Sequence, residues 1–298
     1  MEDAIRVLLG AIRENLELVG GQLSERNLDP LHPWRVGEDD FALLRQVLRA
    51  SFAHTGLLRI DHALGLLRQW WIPHGRAAAD GVYVRMPASA LLSVIAEESR
   101  RARAAVVGED LGTVPRALPP LLARHGVLSS RVLLFQRDRR GGFVAASRYP
   151  ARALATANTH DLAPLAGWWS ARDLALRAEL GEIDAAALAA ARSERERARA
   201  ALARRLVRDG AIARAADAED PRTRCAAVHR FLRATPSALV GLSLDDLAGE
   251  SEPLNVPGVP PSRFPAWRRR MTRPLDVLLR DADVERALGG RARAPTRS

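Results

Sequence analysis

Apolar positions along the chain follow two periods. Short apolar runs of three to five residues alternate with longer stretches in which apolar residues recur at helical spacing. The runs predicted as strands lie at 56–58, 104–107, 132–135, 154–158 and 238–242. Strands that alternate with helices are typical of a parallel sheet with helical crossovers, so the pattern predicts an α/β fold with about five strands.

Helical spacing predicts a further set of elements. These helices are predicted at 2–20, 40–52, 64–71, 87–103, 115–125, 171–209 and 274–288, with a polar, proline-bearing loop at 22–37. The Ala/Arg-rich region from 171 to 209 contains Asp184 as an N-cap candidate and ends before Gly210.

Three of the predicted strands lead into acidic residues. Asp61 follows the first, Glu109 follows the second, and Asp161 follows the fourth. Because strand ends gather at one mouth of a β/α barrel, these carboxylates are candidates for a single site. Such a site suits glycosidic chemistry, in which one carboxylate attacks and another exchanges a proton.

The charge balance raises a second possibility. The 298 residues carry a net charge of +10, and because lysine is absent the basic excess is entirely arginine. A basic excess is typical of nucleic-acid binding. However, the arginines mostly alternate with acids, as at 193–197, which favours solvated helix faces. We therefore predict no nucleic-acid partner, and the absence of lysine excludes P-loop and Schiff-base chemistry.

The cysteine count and the hydropathy of the sequence exclude further classes of protein. Cys225 is the only cysteine, so neither an internal disulfide nor a thiolate metal cluster can form within this chain. No HExxH motif occurs, and we predict no metal and no cofactor. No apolar stretch approaches the length of a membrane span and no signal pattern opens the sequence, so we expect a cytoplasmic protein without a membrane partner.

The segments around the three acids resemble one family. Residues 58–62 (Leu-Arg-Ile-Asp-His) resemble the nucleophile motif of the 4-alpha-glucanotransferases, or amylomaltases. Residues 107–115 resemble the acid/base motif of that family, and 159–162 resemble its third-carboxylate motif. Further likenesses lie at 70–73, 81–84, 167–169, 255–258 and 265–269. The motifs keep the order of the family from about residue 40 to 270, so the chain is identified as a member.

The resemblance implies a (β/α)8 TIM-barrel type of α/β fold. Family members are substantially longer, so we expect a barrel truncated to about its last five strands plus helical insertions. Residues 1–289 would be the C-terminal part of the catalytic barrel, with a helical insertion at about 171–220 and a loose tail at 290–298. Two segments depart from the family: a Gln-Trp-Gly-Pro loop is degraded near Gln22, and Ala266 replaces an asparagine.

The resemblance also implies roles for the three acids. Asp61 would be the nucleophile of a retaining double displacement and Glu109 the acid/base. Asp161 would bind sugar hydroxyls and steady the transition state. Asp110 competes with Glu109, but adjacent strand residues face opposite ways, so only one should enter the site. Arg59, two positions before Asp61, would point the same way and pair with it; the alternative is a surface ion pair without a catalytic role.

The other candidates for substrate binding carry weaker signals. They are Arg59, His62, His160, Trp70, Trp168 and Asn255. Each histidine could instead be a core residue whose ring is hydrogen-bonded within the protein. The turn at Asn255 could instead have only a structural role, without ligand contact. Indole rings stack on sugars but are more often buried, so we expect one core ring in each of the pairs Trp70-Trp71 and Trp168-Trp169.

The expected substrates are alpha-1,4-glucans and malto-oligosaccharides, with a glucan segment transferred to a new acceptor. Hydrolysis on the same site remains open, with water in place of the acceptor. The competing hypothesis is a truncated, inactive remnant, or one half of a split enzyme that needs a missing N-terminal half. Its basis is that an open set of parallel strands exposes unpaired edges.

Overall fold

The structure of the protein is a computed structural model that describes residue 33 and residues 36–287. The predicted helix at 2–20, most of the loop at 22–37 and the predicted tail at 290–298 lie outside these residues. The chain divides into two compact units, Met1–Ser130 and Arg131–Ser298.

Parallel strands organise the first unit. These are β1 (Leu57–Ile60), β4 (Ala105–Gly108) and the start of β5 (Leu128–Val132). β1 and β4 pair in parallel along their whole length, so that Ile60 stands opposite Gly108. β4 continues the sheet by pairing with β5 at Leu128 and Ser129. Since β1 and β4 end in register, Asp61 and Glu109 emerge side by side at one edge of the sheet.

Three helices of the first unit form where the spacing of apolar residues predicts them. They span Ala42–Phe52, Ala88–Ala102 and Leu118–Arg124, which confirms the helices predicted there within a few residues at their ends. Their apolar faces form one core cluster, in which Leu92, Ile95 and Leu122 are almost fully buried beside Val106 of β4. Burying a side chain of this size stabilises the fold by roughly 1.5–3 kcal/mol.

A buried ion pair joins the first two of these helices. The side chain of Glu98 is 2 % exposed and accepts two hydrogen bonds from Arg49, at 2.9 and 2.7 Å, and a third from Arg45 at 3.1 Å. The guanidinium of Arg49 is the main cause that lowers the pKa of Glu98, with Arg45 adding to it. The buried charge is therefore compensated by hydrogen bonds from two cations.

The predicted helix at 64–71 is wrong. A 3-10 turn at Ala63–Leu66 leads into strand β2 (Arg68–Trp71), which pairs in antiparallel fashion with β3 (Val82–Arg85). Trp70 stands opposite Tyr83, and the two rings meet edge to face at 4.8 Å. Cross-strand aromatic pairs stabilise sheets, and this long-range pairing overrides the local helical spacing.

The second unit contains two parallel strands, β6 (Ala153–Thr156) and β7 (Leu239–Val240), which pair at Leu154 and Leu239. They confirm the strands predicted at 154–158 and 238–242 in shorter form. The strand predicted at 132–135 is wrong, because Leu133–Phe135 forms a 3-10 turn and β5 ends at Val132. An apolar run of that length does not distinguish a strand from a buried helical turn.

Helices make up most of the second unit. They span Leu165–Ser170, Arg172–Glu179, Ala185–Arg208, Pro221–Arg233, Leu244–Ala248, Leu275–Leu278 and Ala282–Ala287. The side chain of Asp184 accepts a hydrogen bond from the Ala187 N–H at 2.7 Å, which confirms the predicted N-cap. Gly210, at a φ of 70°, follows the helix end in the left-handed region. Within the described residues, no helix has the length and apolar character that crossing a bilayer requires.

The core cluster of the first unit generates a stability prediction. Leu92→Ala should lower the free energy of unfolding by about 2–5 kcal/mol, because Leu92 is fully buried and truncation leaves a cavity. Leu43→Ala on the neighbouring helix is the matched control, since Leu43 is 50 % exposed and its truncation should cost about 0.5 kcal/mol or less. Equal losses in urea denaturation of the two variants would contradict this core.

Candidate active site

Backbone N–H groups after β1 and after Glu109 hold the carboxylate of Glu109. The N–H of His62 donates to Oε2 at 2.9 Å, and the N–H of Leu111 donates to Oε1 at 2.7 Å. The backbone of Glu109 is held as well, because its N–H donates to Ile60 and its carbonyl accepts from Ala63. Glu109 is buried, and two backbone donors fix the orientation of its carboxylate.

This arrangement requires an unusual backbone at His62. Its φ of 46° and ψ of 50° place it in the left-handed region, which costs a non-glycine residue roughly 1–2 kcal/mol. The turn directs both the N–H and the ring of His62 toward Glu109. Strained residues that the surrounding structure holds in place concentrate at functional sites.

Asp61 lies on the solvent side of the same turn. Arg59 Nη2 contacts its Oδ1 at 2.6 Å, as the shared strand face predicts, and the carboxylate remains about half exposed. The His62 ring contacts both acids: Nε2 lies 3.7 Å from Asp61 Oδ2, and Nδ1 lies 3.4 Å from Glu109 Oε2. A single imidazole therefore links the two carboxylates, and it is itself largely exposed.

Glu109 and Asp110 face different neighbours. Asp110 is also buried, but its Oδ1 accepts a hydrogen bond from the Ser130 N–H of β5 at 2.8 Å. Gly108, directly before the pair, is closely packed: a Cβ there would lie 3.1 Å from the Ala63 Cβ. The close packing of β4 against the turn after β1 thus depends on glycine at this position.

The β2–β3 hairpin exposes aromatic rings in the first unit. Trp70 is 45 % exposed and is oriented by its Nε1–H, which donates to the Ala78 carbonyl at 3.0 Å. Tyr83 is exposed beside it, with the guanidinium of Arg68 stacked 4.1 Å from its centroid. Trp71 is only partly buried and donates to Gln69 Oε1, so Trp70 offers the more open ring of the pair.

Asp161 belongs to a cluster within the second unit. Asn255 Nδ2 donates to its Oδ1 at 2.7 Å, and His160 Nε2 lies 3.4 Å from its Oδ2. The exposed ring of Trp267 lies 5.3 Å from the His160 ring, and its backbone is left-handed with a φ of 64°. The turn after β6 and the loop from 254 to 267 therefore meet at Asp161. Trp267 is absent from the predicted site residues, although its segment contributed to the family resemblance.

A buried polar network lies behind this cluster. Asp246 accepts hydrogen bonds from the Leu165 N–H at 2.7 Å and from Asn158 Nδ2 at 3.0 Å. Burial raises the pKa of Asp246 to about 7. Because Asn158 and Leu165 flank the turn with His160 and Asp161, the carboxyl of Asp246 holds both ends of that turn. Sequence reasoning missed Asp246, which carries no local signal.

The sequence predicts one core ring in the pair Trp168-Trp169, with Trp168 as a candidate for substrate binding, but the structure buries both rings. Both indoles are buried, on the helix Leu165–Ser170. Arg195 stacks on Trp168 at 4.8 Å, and Arg199 stacks on Trp169 at the same distance. The helix Ala185–Arg208 supplies these arginines and covers the rings, so Trp168 packs in the core instead of lining a sugar groove.

Comparisons with known proteins agree with the motifs. The family model for 4-alpha-glucanotransferase matches residues 27–276. A 4-alpha-glucanotransferase of Mycobacterium tuberculosis is 35 % identical over 289 residues, covering 94 % of this chain and 39 % of the relative. One from Haemophilus influenzae is 35 % identical over 256 residues, covering 84 % of this chain and 36 % of that protein.

A solved structure gives the same result. Amylomaltase from Corynebacterium glutamicum superposes with a TM-score of 0.82 at 29 % identity, covering 87 % of this chain and 39 % of that one. The chain belongs to the 4-alpha-glucanotransferase family. It spans 39 % of the length of the mycobacterial relative.

The buried Asp246 makes stability depend on pH. Its folded-state pKa of about 7 lies above the ordinary 3.8, so the folded protein retains a proton that the unfolded chain releases between these values. The stability contributed by the neutral carboxyl is full below about pH 4 and is lost as the pH rises toward 7. The wild type should therefore lose on the order of 3 kcal/mol relative to Asp246→Asn between pH 4.5 and 7.5.

Chemical denaturation of both proteins at the two pH values measures this difference. His229, whose pKa burial lowers to about 4, titrates with the opposite sign, but it is present in both proteins and cancels. Glu196→Gln, at an exposed carboxylate, is the control and should follow the wild type. A difference between wild type and Asp246→Asn that does not change with pH would contradict the assignment.

Proposed function

We propose that this protein is a 4-alpha-glucanotransferase that moves a segment of a 1,4-alpha-glucan to a new acceptor, either glucose or another malto-oligosaccharide. The observation that supports this most is the pairing of β1 with β4, which brings Asp61 and Glu109 out together with His62 between them. Membership of the family supplies the substrate class. Because the chain spans 39 % of a relative's length, the activity is proposed for the protein that contains these residues.

The first half of the reaction forms a covalent intermediate. The Asp61 carboxylate attacks the anomeric carbon of the donor glucan, and the bond from that carbon to the glycosidic oxygen breaks. Glu109 gives its proton to the leaving oxygen, which departs as a free hydroxyl. The glucan segment is then held as an ester on Asp61.

The second half transfers the segment. The Glu109 carboxylate takes a proton from the 4-hydroxyl of the acceptor, and the acceptor oxygen attacks the anomeric carbon. The ester bond breaks, Asp61 is released as a carboxylate, and the proton balance of Glu109 is restored. Two inversions at one carbon retain the alpha configuration.

The neighbouring groups have positioning roles in this proposal. Arg59 holds Oδ1 of Asp61, which leaves the second oxygen for attack. The exposed His62 ring donates to a sugar hydroxyl, and Trp70 presents an indole face on which a glucose ring stacks. Each of these side chains has the accessibility that contact with a sugar requires.

The cluster in the second unit contains Asp161, the carboxylate of the third family motif. Asp161, whose Oδ1 is fixed by Asn255, binds sugar hydroxyls with its remaining oxygen, and His160 assists it. We further infer that the parallel strands are part of a barrel of the (β/α)8 type, an inference supported by the likeness to amylomaltase.

A disproportionation assay tests the proposal. With maltotriose as the substrate, the wild type should produce glucose together with longer oligosaccharides. Asp61→Asn removes the nucleophile and should lower turnover by about three orders of magnitude or more. Glu109→Gln should lower it comparably, whereas Glu38→Gln, at an exposed carboxylate of the same unit, should keep turnover within about twofold.

Chromatographic separation of the products measures the amount and length of the oligosaccharides that each variant forms. Glucose and maltose without longer products would indicate hydrolysis and contradict transfer. A wild type without products, or an Asp61→Asn variant with full turnover, would contradict the assignment of the site.

A further inference from the structure

A cavity of about 710 Å³ lies within the second unit, away from Asp161 and its partners. One wall is the loop at 137–143, and the other is the helix Ala185–Arg208 from Glu194 onward. Six arginines line it: Arg137, Arg140, Arg197, Arg204, Arg205 and Arg208. Together with Ala200 and Ala201, the helical arginines recur every three or four residues, which places these lining residues on one face of the helix. Ala200 and Ala201 on that face leave room between them.

The loop wall has a fixed shape. Asp138 accepts hydrogen bonds from the N–H groups of Arg140 at 2.8 Å and Gly142 at 2.9 Å, which close a tight turn. The bond from Gly142 is the main cause that lowers the pKa of Asp138. Arg137 pairs with Phe143 through a β-bridge, and its guanidinium stacks 4.1 Å from the ring centroid. The arginines of the loop are thus presented from an ordered scaffold.

The positive charge of the cavity is not neutralised by its own acids. Asp138 and Glu194 are the acidic residues in its lining, and Arg205 pairs with Asp209 at 3.3 Å. In the part of the chain that the structure describes, Arg140, Arg204 and Arg208 have no carboxylate at ion-pair distance. Like charges that converge from two elements repel each other, and this unfavourable field is relieved by an anion.

Helix electrostatics explain only part of this arrangement. Cations near a helix C-terminus interact favourably with the last carbonyl groups, which accounts for Arg204 and Arg208 without any ligand. The same reasoning does not apply to Arg140, which belongs to the opposite loop and lines the same cavity. The convergence of two independent elements is what indicates a binding site.

We propose that this cavity binds a small phosphorylated molecule that carries at least two phosphate groups. Guanidinium groups match phosphate oxygens in bidentate geometry, and the number of arginines exceeds what one phosphate engages. The volume falls within the range of about 300–1,000 Å³ that is typical of small-molecule sites. A nucleic-acid strand is disfavoured, because Phe143 is buried beneath Arg137 and offers no free face on which a base would stack.

Titration calorimetry with inorganic pyrophosphate tests the proposal on the full chain, with ionic strength held constant by sodium chloride. The wild type should bind pyrophosphate. The double variant Arg204→Ala/Arg208→Ala and the loop variant Arg140→Ala should each weaken binding by about tenfold or more, since each removes charge-assisted hydrogen bonds. Arg192→Ala, an exposed arginine on the same helix outside the cavity, should keep the wild-type affinity within about twofold.

Four results would overturn the proposal. They are the absence of binding at millimolar pyrophosphate, wild-type affinity in both cavity variants, an equal loss in Arg192→Ala, and binding of a single-stranded oligonucleotide without binding of pyrophosphate. Melting temperatures without ligand confirm that each variant is folded. The loop variant provides a separate measurement if the helix variant does not fold.

Discussion

The arrangement of the carboxylates of Asp61 and Glu109 depends on one interaction, the hydrogen bond from the His62 N–H to Glu109. Parallel pairing of β1 with β4 brings the two strand ends together in register. The left-handed turn at His62 then converts this adjacency into contact, because it directs a backbone donor at Oε2 of Glu109. Without that turn, Asp61 and Glu109 would be neighbours without a fixed mutual orientation.

Buried polar groups have a similar role in the second unit. Asp246 has two oxygens, and both receive hydrogen bonds from the segment that carries His160 and Asp161. A buried carboxyl is costly unless it is hydrogen-bonded, so the network specifies one arrangement of that turn. The exposed Asp161 is thus supported by a carboxyl that is itself buried.

Sequence reasoning succeeded where the determinants are local. The strands before Asp61 and Glu109 are short apolar runs that end in acids, and the Asp184 cap follows from its place before an alanine-rich helix. These features depend on residues within one or two turns of each other. The local pattern predicts the strands and the cap, whereas the roles proposed for the acids come from the family resemblance.

The remaining features depend on long-range contacts. The β2–β3 hairpin forms because Trp70 meets Tyr83 across the sheet, and the spacing of residues 64–71 does not reveal that partner. Trp168 is buried because arginines of a later helix stack over the pair, which single-sequence periodicity does not show. The sequence pattern does not predict the arginine cavity for the same reason, because the loop and the helix that line it are distant in sequence.

The central claim is that Asp61 is the group that carries the glucan and Glu109 the group that releases it. Peptide mass mapping of Glu109→Gln after reaction with an alpha-maltosyl fluoride tests this directly. Fluoride leaves without acid assistance, whereas release to an acceptor requires the missing base, so the glycosyl-enzyme should accumulate. We predict one maltosyl group on the peptide that contains Asp61, and none when Asp61→Asn is added. A label on another residue, or a label that survives in the double variant, would contradict the account.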